Sequence, residues 1–149
     1  MNVINELEFD EIRQPSPSVM LKTPDSNDLS EMIKLGGSED RTNFVAIRDN
    51  HVIGYLWGQV GDGDVYELKK NEMFLEYIRC KEQNVGHGRQ IVAAIFAHLR
   101  VDTICAETNE DNMGFWIRIG SSIDYSSSDD IREMYEFVLT RESFMGCCL

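Results

Sequence analysis

Basic residues are scarce in this chain. Its 149 residues include 14 lysines and arginines against 26 aspartates and glutamates, a net charge of -12. A protein that grips nucleic-acid phosphates needs the opposite balance, so direct nucleic-acid binding is not expected. Cationic partners are favoured electrostatically. Long apolar runs are also lacking, since none approaches the ~20 residues that cross a bilayer. The opening Met1-Asn2-Val3-Ile4-Asn5-Glu6-Leu7-Glu8 has neither the basic nor the apolar region of a signal peptide. Cysteines are few: Cys80, Cys105, Cys147 and Cys148, with no CxxC pair and no scaffold spacing. That usage fits free thiols in a reducing cytoplasm. Gly146-Cys147-Cys148-Leu149 misses the prenylation pattern, because Gly146 stands fourth from the end, and is expected to be a frayed tail. No His/Cys/Asp cluster has metal-site spacing, and Gly61-Asp62-Gly63-Asp64 lacks the later glutamate of a calcium loop. We therefore expect a cytoplasmic protein with no metal and no membrane contact.

What is present is enough to fold. At 42% hydrophobic the chain can bury one core, and its length suits one domain. Residues 1–17 are acidic and close on Pro15-Ser16-Pro17, which predicts an N-terminal extension ahead of a single domain over 18–149. Val19–Thr23 predicts a short strand. Pro24-Asp25-Ser26 caps a helix through Leu29, Met32, Ile33 and Leu35 that ends at Gly36-Gly37. Asn43–Arg48 and Val52–Val60 predict a hairpin around Asp49-Asn50-His51. Glu72–Arg79 alternates, with Phe74, Glu76 and Ile78 on one face and Met73, Leu75 and Tyr77 on the other. After Gly88 a helix carries Ile91, Val92, Ile95, Phe96 and Leu99. Thr103–Thr108 predicts a strand, Asn112–Ile119 a helix, Ser126–Asp130 a loop and Glu133–Thr140 a last strand. The order is mixed α/β.

One segment carries chemistry. Ile78-Arg79-Cys80-Lys81-Glu82-Gln83-Asn84-Val85-Gly86-His87-Gly88-Arg89 joins a strand to a helix through a glycine turn. Helix starts expose unpaired N–H groups at a positive dipole end, and glycines let an anion approach them. Arg79, Lys81 and Arg89 outnumber Glu82 here, a basic window in an acidic chain. A P-loop is excluded, and Ile91 stands where a dinucleotide fingerprint has its third glycine.

Gln83-x-x-Gly86-x-Gly88 matches the [QR]-x-x-G-x-[GA] signature, and the stretch resembles the GNAT acetyltransferases. Asn109, Phe115, Arg118 and Gly120 fall in register with a second motif of that family. The resemblance covers about residues 19–141. It implies a mostly antiparallel mixed sheet of about six or seven strands flanked by helices. It also implies acetyl-CoA as co-substrate, held by Ile78, Arg79, Cys80, Gln83, Asn84, Val85, Gly86, His87, Gly88, Arg89, Asn109 and Phe115. Trp116 replaces the tyrosine that protonates the leaving thiolate in many members, leaving Tyr77, Tyr125 and Ser121 as candidate acids.

The implied reaction is amine attack on an acetyl thioester, and a lysine-type amine must first lose a proton. Glu72 stands eleven residues before Gln83, the offset of the catalytic glutamate in the histone acetyltransferase branch. It equally suits a solvated strand-start carboxylate beside Lys69 and Lys70. Glu76 and Glu107 are the other candidate bases. The acceptor expected is a protein lysine or N-terminus ahead of a polyamine or aminoglycoside. A weakly catalytic CoA-binding module that docks a basic protein is the alternative of another class. GNAT proteins often pair through late strands, so a homodimer is also implied. The connection after Gly36-Gly37 is short for the family's second helix, which would open the acceptor cleft.

Overall fold

The computed structural model describes residues 19–61, 68, 71–83, 85–129 and 131–147. The expected extension over 1–17, the aspartates of the Asp62–Asp64 loop, Lys69, Lys70, Asn84, Asp130 and Cys148 lie outside the described residues.

The elements follow as β1 (Met20–Lys22), α1 (Ser26–Lys34), β2 (Thr42–Arg48), β3 (His51–Val60), β4 (Glu72–Cys80) and α2 (His87–His98). After them come β5 (Thr103–Thr108), α3 (Glu110–Arg118), β6 (Ser122–Asp129), β7 (Met134–Thr140) and α4 (Arg141–Cys147). The strands make one sheet of seven, ordered β1-β2-β3-β4-β5-β7-β6. Among the described strands only β4 and β5 pair in parallel, and α2 supplies the crossover such a pair requires.

Local chemistry explains the ends. The Asp25 side chain accepts from the Asp28 N–H at 2.8 Å and starts α1. Asp49 and Asn50 both hold positive φ, 51° and 65°, so the β2–β3 hairpin turns on two residues and His51 belongs to β3. That is the twist a two-residue hairpin prefers, made without glycine. Between α1 and β2, residues 35–41 contain no helix.

The sheet is covered unequally. On one face Ile91, Ile95 and Phe96 of α2 are fully buried against Met73, Leu75, Ile104, Leu139 and Phe144. On the other face Met32 of α1 packs on Val45, Tyr55 and Trp57, covering the β2–β3 end. Among the described residues no helix core lies over the β4–β5–β7–β6 part of that second face.

Three expectations are corrected. Ser126 to Asp129 is strand rather than loop, the end of β6, a segment whose polar sequence hides it and whose place is set by pairing with β7. Of the tail expected to fray, Gly146 and Cys147 instead end a helix, α4, whose Phe144 is fully buried. The alternation along β4 also breaks. Trp57 faces Tyr77 but Gly58 faces Leu75, so Glu76 is the extra residue of a β-bulge. Ile78 consequently packs with Met73 and Leu75 in the larger core. Tyr77 goes to the opposite face and stacks on Trp57 with ring centres 4.2 Å apart. Gly58 permits this, because a Cβ there would run into the Phe74 carbonyl.

Candidate active site

The bulge coincides with a parting of strands. β4 and β5 pair from Glu72↔Thr103 to Leu75↔Ala106 and no further, although both strands continue. Beyond Leu75 the edge of β4 facing β5 therefore presents backbone N–H and C=O groups that no strand among the described residues satisfies. Polar backbone of this kind needs a partner. The gap opens on both faces of the sheet, and its two mouths differ.

On the α2 face the gap leads into a cleft of about 830 Å3 between β4, the glycine turn and α3. Of the residues that sequence reasoning assigned to a cofactor, Ile78, Arg79, Cys80, Gln83, Gly86, His87, Gly88, Arg89 and Phe115 line it. Val85 is not part of the wall and is exposed. Asn109 is not part of it either: its side chain accepts from the Asn112 N–H at 2.9 Å and caps α3. Tyr77, Asp111, Asn112, Gly114, Trp116 and Arg118 also line the cleft. Arg118 was legible only as a motif match, and its place in the wall depends on α3 lying across the cleft.

The glycine turn has open donors. Gly86 caps α2 with φ 83° and no side-chain cap, so the first N–H groups of the helix keep no intrahelical partner. A Cβ on Gly86 would meet nothing within 4 Å, whereas one on Gly88 would press on Phe115 at 3.1 Å. Gly88 thus lets α2 close on α3, and Gly86 leaves room at the turn itself. His87 Nδ1 is buried with no hydrogen-bond partner among the described residues. The cationic window is split: Arg89 lines the cleft, while Arg79, opposite Tyr55 in the strand register, and Lys81, 5.3 Å from the centre of the Tyr55 ring, belong to the other face. Arg89 also donates to the Cys147 carbonyl at 2.7 Å. Burial raises the Cys80 thiol above its ordinary pKa, so this thiol stays neutral.

The mouth on the α1 face is acidic. Glu76 and Glu107 each follow the last paired residues, Leu75 and Ala106, and so form the two lips of the gap. Glu107 lies opposite Glu136 on β7, which lies opposite Asp124 on β6, giving a transverse row of carboxylates. Arg41 donates to Glu76 at 2.8 Å, Gln59 donates to the same carboxylate at 3.2 Å, and Arg132 pairs with Glu107 at 3.1 Å. Glu72 is half-buried, and no hydrogen bond or ion pair engages its side chain among the described residues. The Cys105 thiol is raised, by burial first and then by the charges of Glu72 and Glu136, which places both carboxylates near it. Neither Glu72 nor Glu76 lines the α2-face cleft.

The candidate acids also separate. Trp116 is a core residue, 5% exposed, with its ring 4.5 Å from Phe137. Tyr125 is 62% exposed on β6, and neither it nor Ser121 lines the cleft. Tyr77 borders the cleft as a residue of β4, but its ring stacks on Trp57 on the opposite face.

No protein-family model and no curated protein matches the chain. Solved structures do. AAC(6')-Ib, an aminoglycoside acetyltransferase, in complex with paromomycin and acetyl-CoA superposes with a TM-score of 0.61 at 18% identity, over 85% of this chain and 95% of that one. A chimera of the spermidine N-acetyltransferase SpeG from Vibrio cholerae gives 0.60 at 11% identity, over 87% and 99%. A Bacillus subtilis acetyltransferase in complex with CoA gives 0.56 at 19%, over 82% and 97%. The chain has the fold of the GNAT acetyltransferases, with the mostly antiparallel seven-stranded sheet expected. No helix among the described residues is long and apolar enough to cross a membrane.

Proposed function

We propose that this protein is an acetyl-CoA-dependent N-acetyltransferase acting on a small cationic amine. The observation that carries the reading is the single gap between β4 and β5, lined with donors and guanidiniums on one face and carboxylates on the other. The neighbours in complex with acetyl-CoA or CoA, and the aminoglycoside and spermidine acetyltransferases among them, support it.

The residues present fit acetyl-CoA. Open N–H groups at the Gly86–Gly88 turn, with Arg118, suit its phosphates. The orphaned His87 Nδ1 is a further polar contact for a group seated there. The unpaired edge of β4 suits an amide-bearing arm, which would complete the sheet as an added strand does. Bound so, the thioester supplies the acetyl group.

The chain's own groups account for the rest. An alkyl amine with pKa ~10.4 arrives protonated and attacks only as the free base. Glu76 is committed to Arg41 and Gln59, so it orients a cation better than it takes a proton. Among the described residues Glu72 has no such partner, and it takes the base role. Its position three residues before the end of pairing puts it about 10 Å along the strand from the gap. The proton therefore reaches it through water. N–H groups of β4 beyond the bulge polarise the thioester carbonyl. The amine nitrogen bonds to the carbonyl carbon, the C–S bond breaks, and the departing sulfur takes, through water, the proton that the nitrogen sheds. Proximity in the ternary complex supplies much of the remaining acceleration.

Mass spectrometry of polyamines and aminoglycosides after incubation with protein and acetyl-CoA tests the reading. Acetylated amine is expected. Glu72→Gln should lower kcat about a hundredfold and remove the acid limb of its pH profile. An unchanged profile would return Glu72 to a solvated strand-start role. The Glu72 spacing to Gln83 favours a second acceptor, a protein lysine or N-terminus, which a peptide panel in the same assay separates. CoA binding without acetylation of any amine would leave a binding module.

A further inference from the structure

We propose that Arg41 is an internal occupant of the acceptor-amine seat on Glu76, displaced by the incoming cation and thereby setting which amines bind. The inference rests on the acceptor side assigned above and names the residue that governs entry to it. Three observations carry it.

Glu76 is where an acceptor must pass. As the bulge residue it stands on the β4 lip of the gap, one position beyond the last pair with β5. Its side chain is 24% exposed, so it is reachable from solvent yet partly shielded.

Arg41 holds that carboxylate as an ammonium would. It reaches Glu76 across 35 positions of sequence, from the helix-free connection ahead of β2. Its backbone is anchored independently of the ion pair. The Arg41 N–H donates to the Ser38 carbonyl at 3.2 Å, and the Asn43 amide donates to the carbonyls of Ser38 and Arg41 at 2.9 and 3.0 Å. The side chain can therefore leave Glu76 while the connection keeps its place. Gln59, on the neighbouring strand, would go on orienting the carboxylate.

The magnitude permits displacement. With the Arg41 side chain 32% exposed, the pair belongs with partly solvated ion pairs, worth at most about 1 kcal/mol. A fully buried pair would cost several times more to break and would act as a permanent strut. The other lip repeats the arrangement, because Arg132 reaches Glu107 from the β6–β7 turn. A diamine could replace both guanidiniums, and a neutral amine neither.

The test is calorimetric titration of 1,4-diaminobutane into the full-length protein, its Arg41→Gln variant and its Arg41→Lys variant, each with CoA present. Displacement predicts that Arg41→Gln binds the diamine about two- to fivefold more tightly, as removal of an exposed-pair competitor should. Arg41→Lys, which keeps a competing charge, should stay near the parent. Equal or weaker binding by a folded Arg41→Gln variant would overturn the proposal, as would absence of diamine binding in all three proteins. Thiol release from acetyl-CoA in the same samples separates this from the enzymatic reading. Tighter binding without release leaves the seat and removes the transferase. Release with an unchanged dissociation constant does the reverse.

Discussion

The two mouths of the β4–β5 gap are built from different materials. The α2-face mouth is largely backbone: a glycine turn, the first N–H groups of a helix and a strand edge, with Arg89 and Arg118 around them. The α1-face mouth is side chain: Glu76 and Glu107 on the lips, Glu72 and Glu136 near Cys105. Backbone donors bind what an anionic carrier always presents, whatever group it carries. Side-chain carboxylates can be exchanged one at a time to suit a particular amine. The difference teaches that general and particular recognition meet at one bulge.

Breaking the bulge should damage both mouths together. Gly58→Ala would push a methyl into the Phe74 carbonyl. Overpacking of this kind costs about 1–3 kcal/mol, visible as a lowered melting temperature, and both substrates should show raised KM. If only one KM moved, the mouths would not share a common origin.

A change confined to one mouth should leave the other alone. Arg118→Gln removes one charge from the α2-face wall. Loss of a charged hydrogen bond predicts a KM for acetyl-CoA raised about tenfold, with amine KM unchanged. Steady-state kinetics with each substrate varied in turn measures this. A rise in amine KM instead would place Arg118 on the acceptor path.

The smallest effect sharpens the acidic side. Glu72 and Glu136 raise the Cys105 pKa, so its thiolate is scarce near neutral pH. Glu72→Gln removes one of the raising charges, hence labelling of Cys105 by iodoacetamide at pH 8 should quicken. The gain should be modest, because burial is the larger cause and remains. Unchanged labelling would move Glu72 away from that face.

The sequence shows these mouths unequally, for a physical reason. Gln83, Gly86 and Gly88 lie within six residues, and a strand-to-helix turn is local, so the α2-face mouth could be located from its basic glycine turn and the family resemblance that this turn carries. Gly86 takes φ 83° at that turn. The α1-face mouth is assembled from residues far apart. Arg41 meets Glu76 across 35 positions and Arg132 meets Glu107 across 25, which no periodicity encodes. The bulge escapes for a related reason: it depends on Gly58 facing Leu75 from the neighbouring strand, not on anything within Glu72–Cys80. β6 was missed because Ser122–Asp129 has few apolar residues, and its register comes from β7.

Release of CoA thiol from acetyl-CoA, followed while 1,4-diaminobutane is titrated in, tests most directly that the two mouths serve one reaction. The account predicts release that rises with amine and saturates, with acetylated diamine as product. CoA binding with a release rate indifferent to this diamine and to every polyamine, aminoglycoside and peptide amine tried would contradict it.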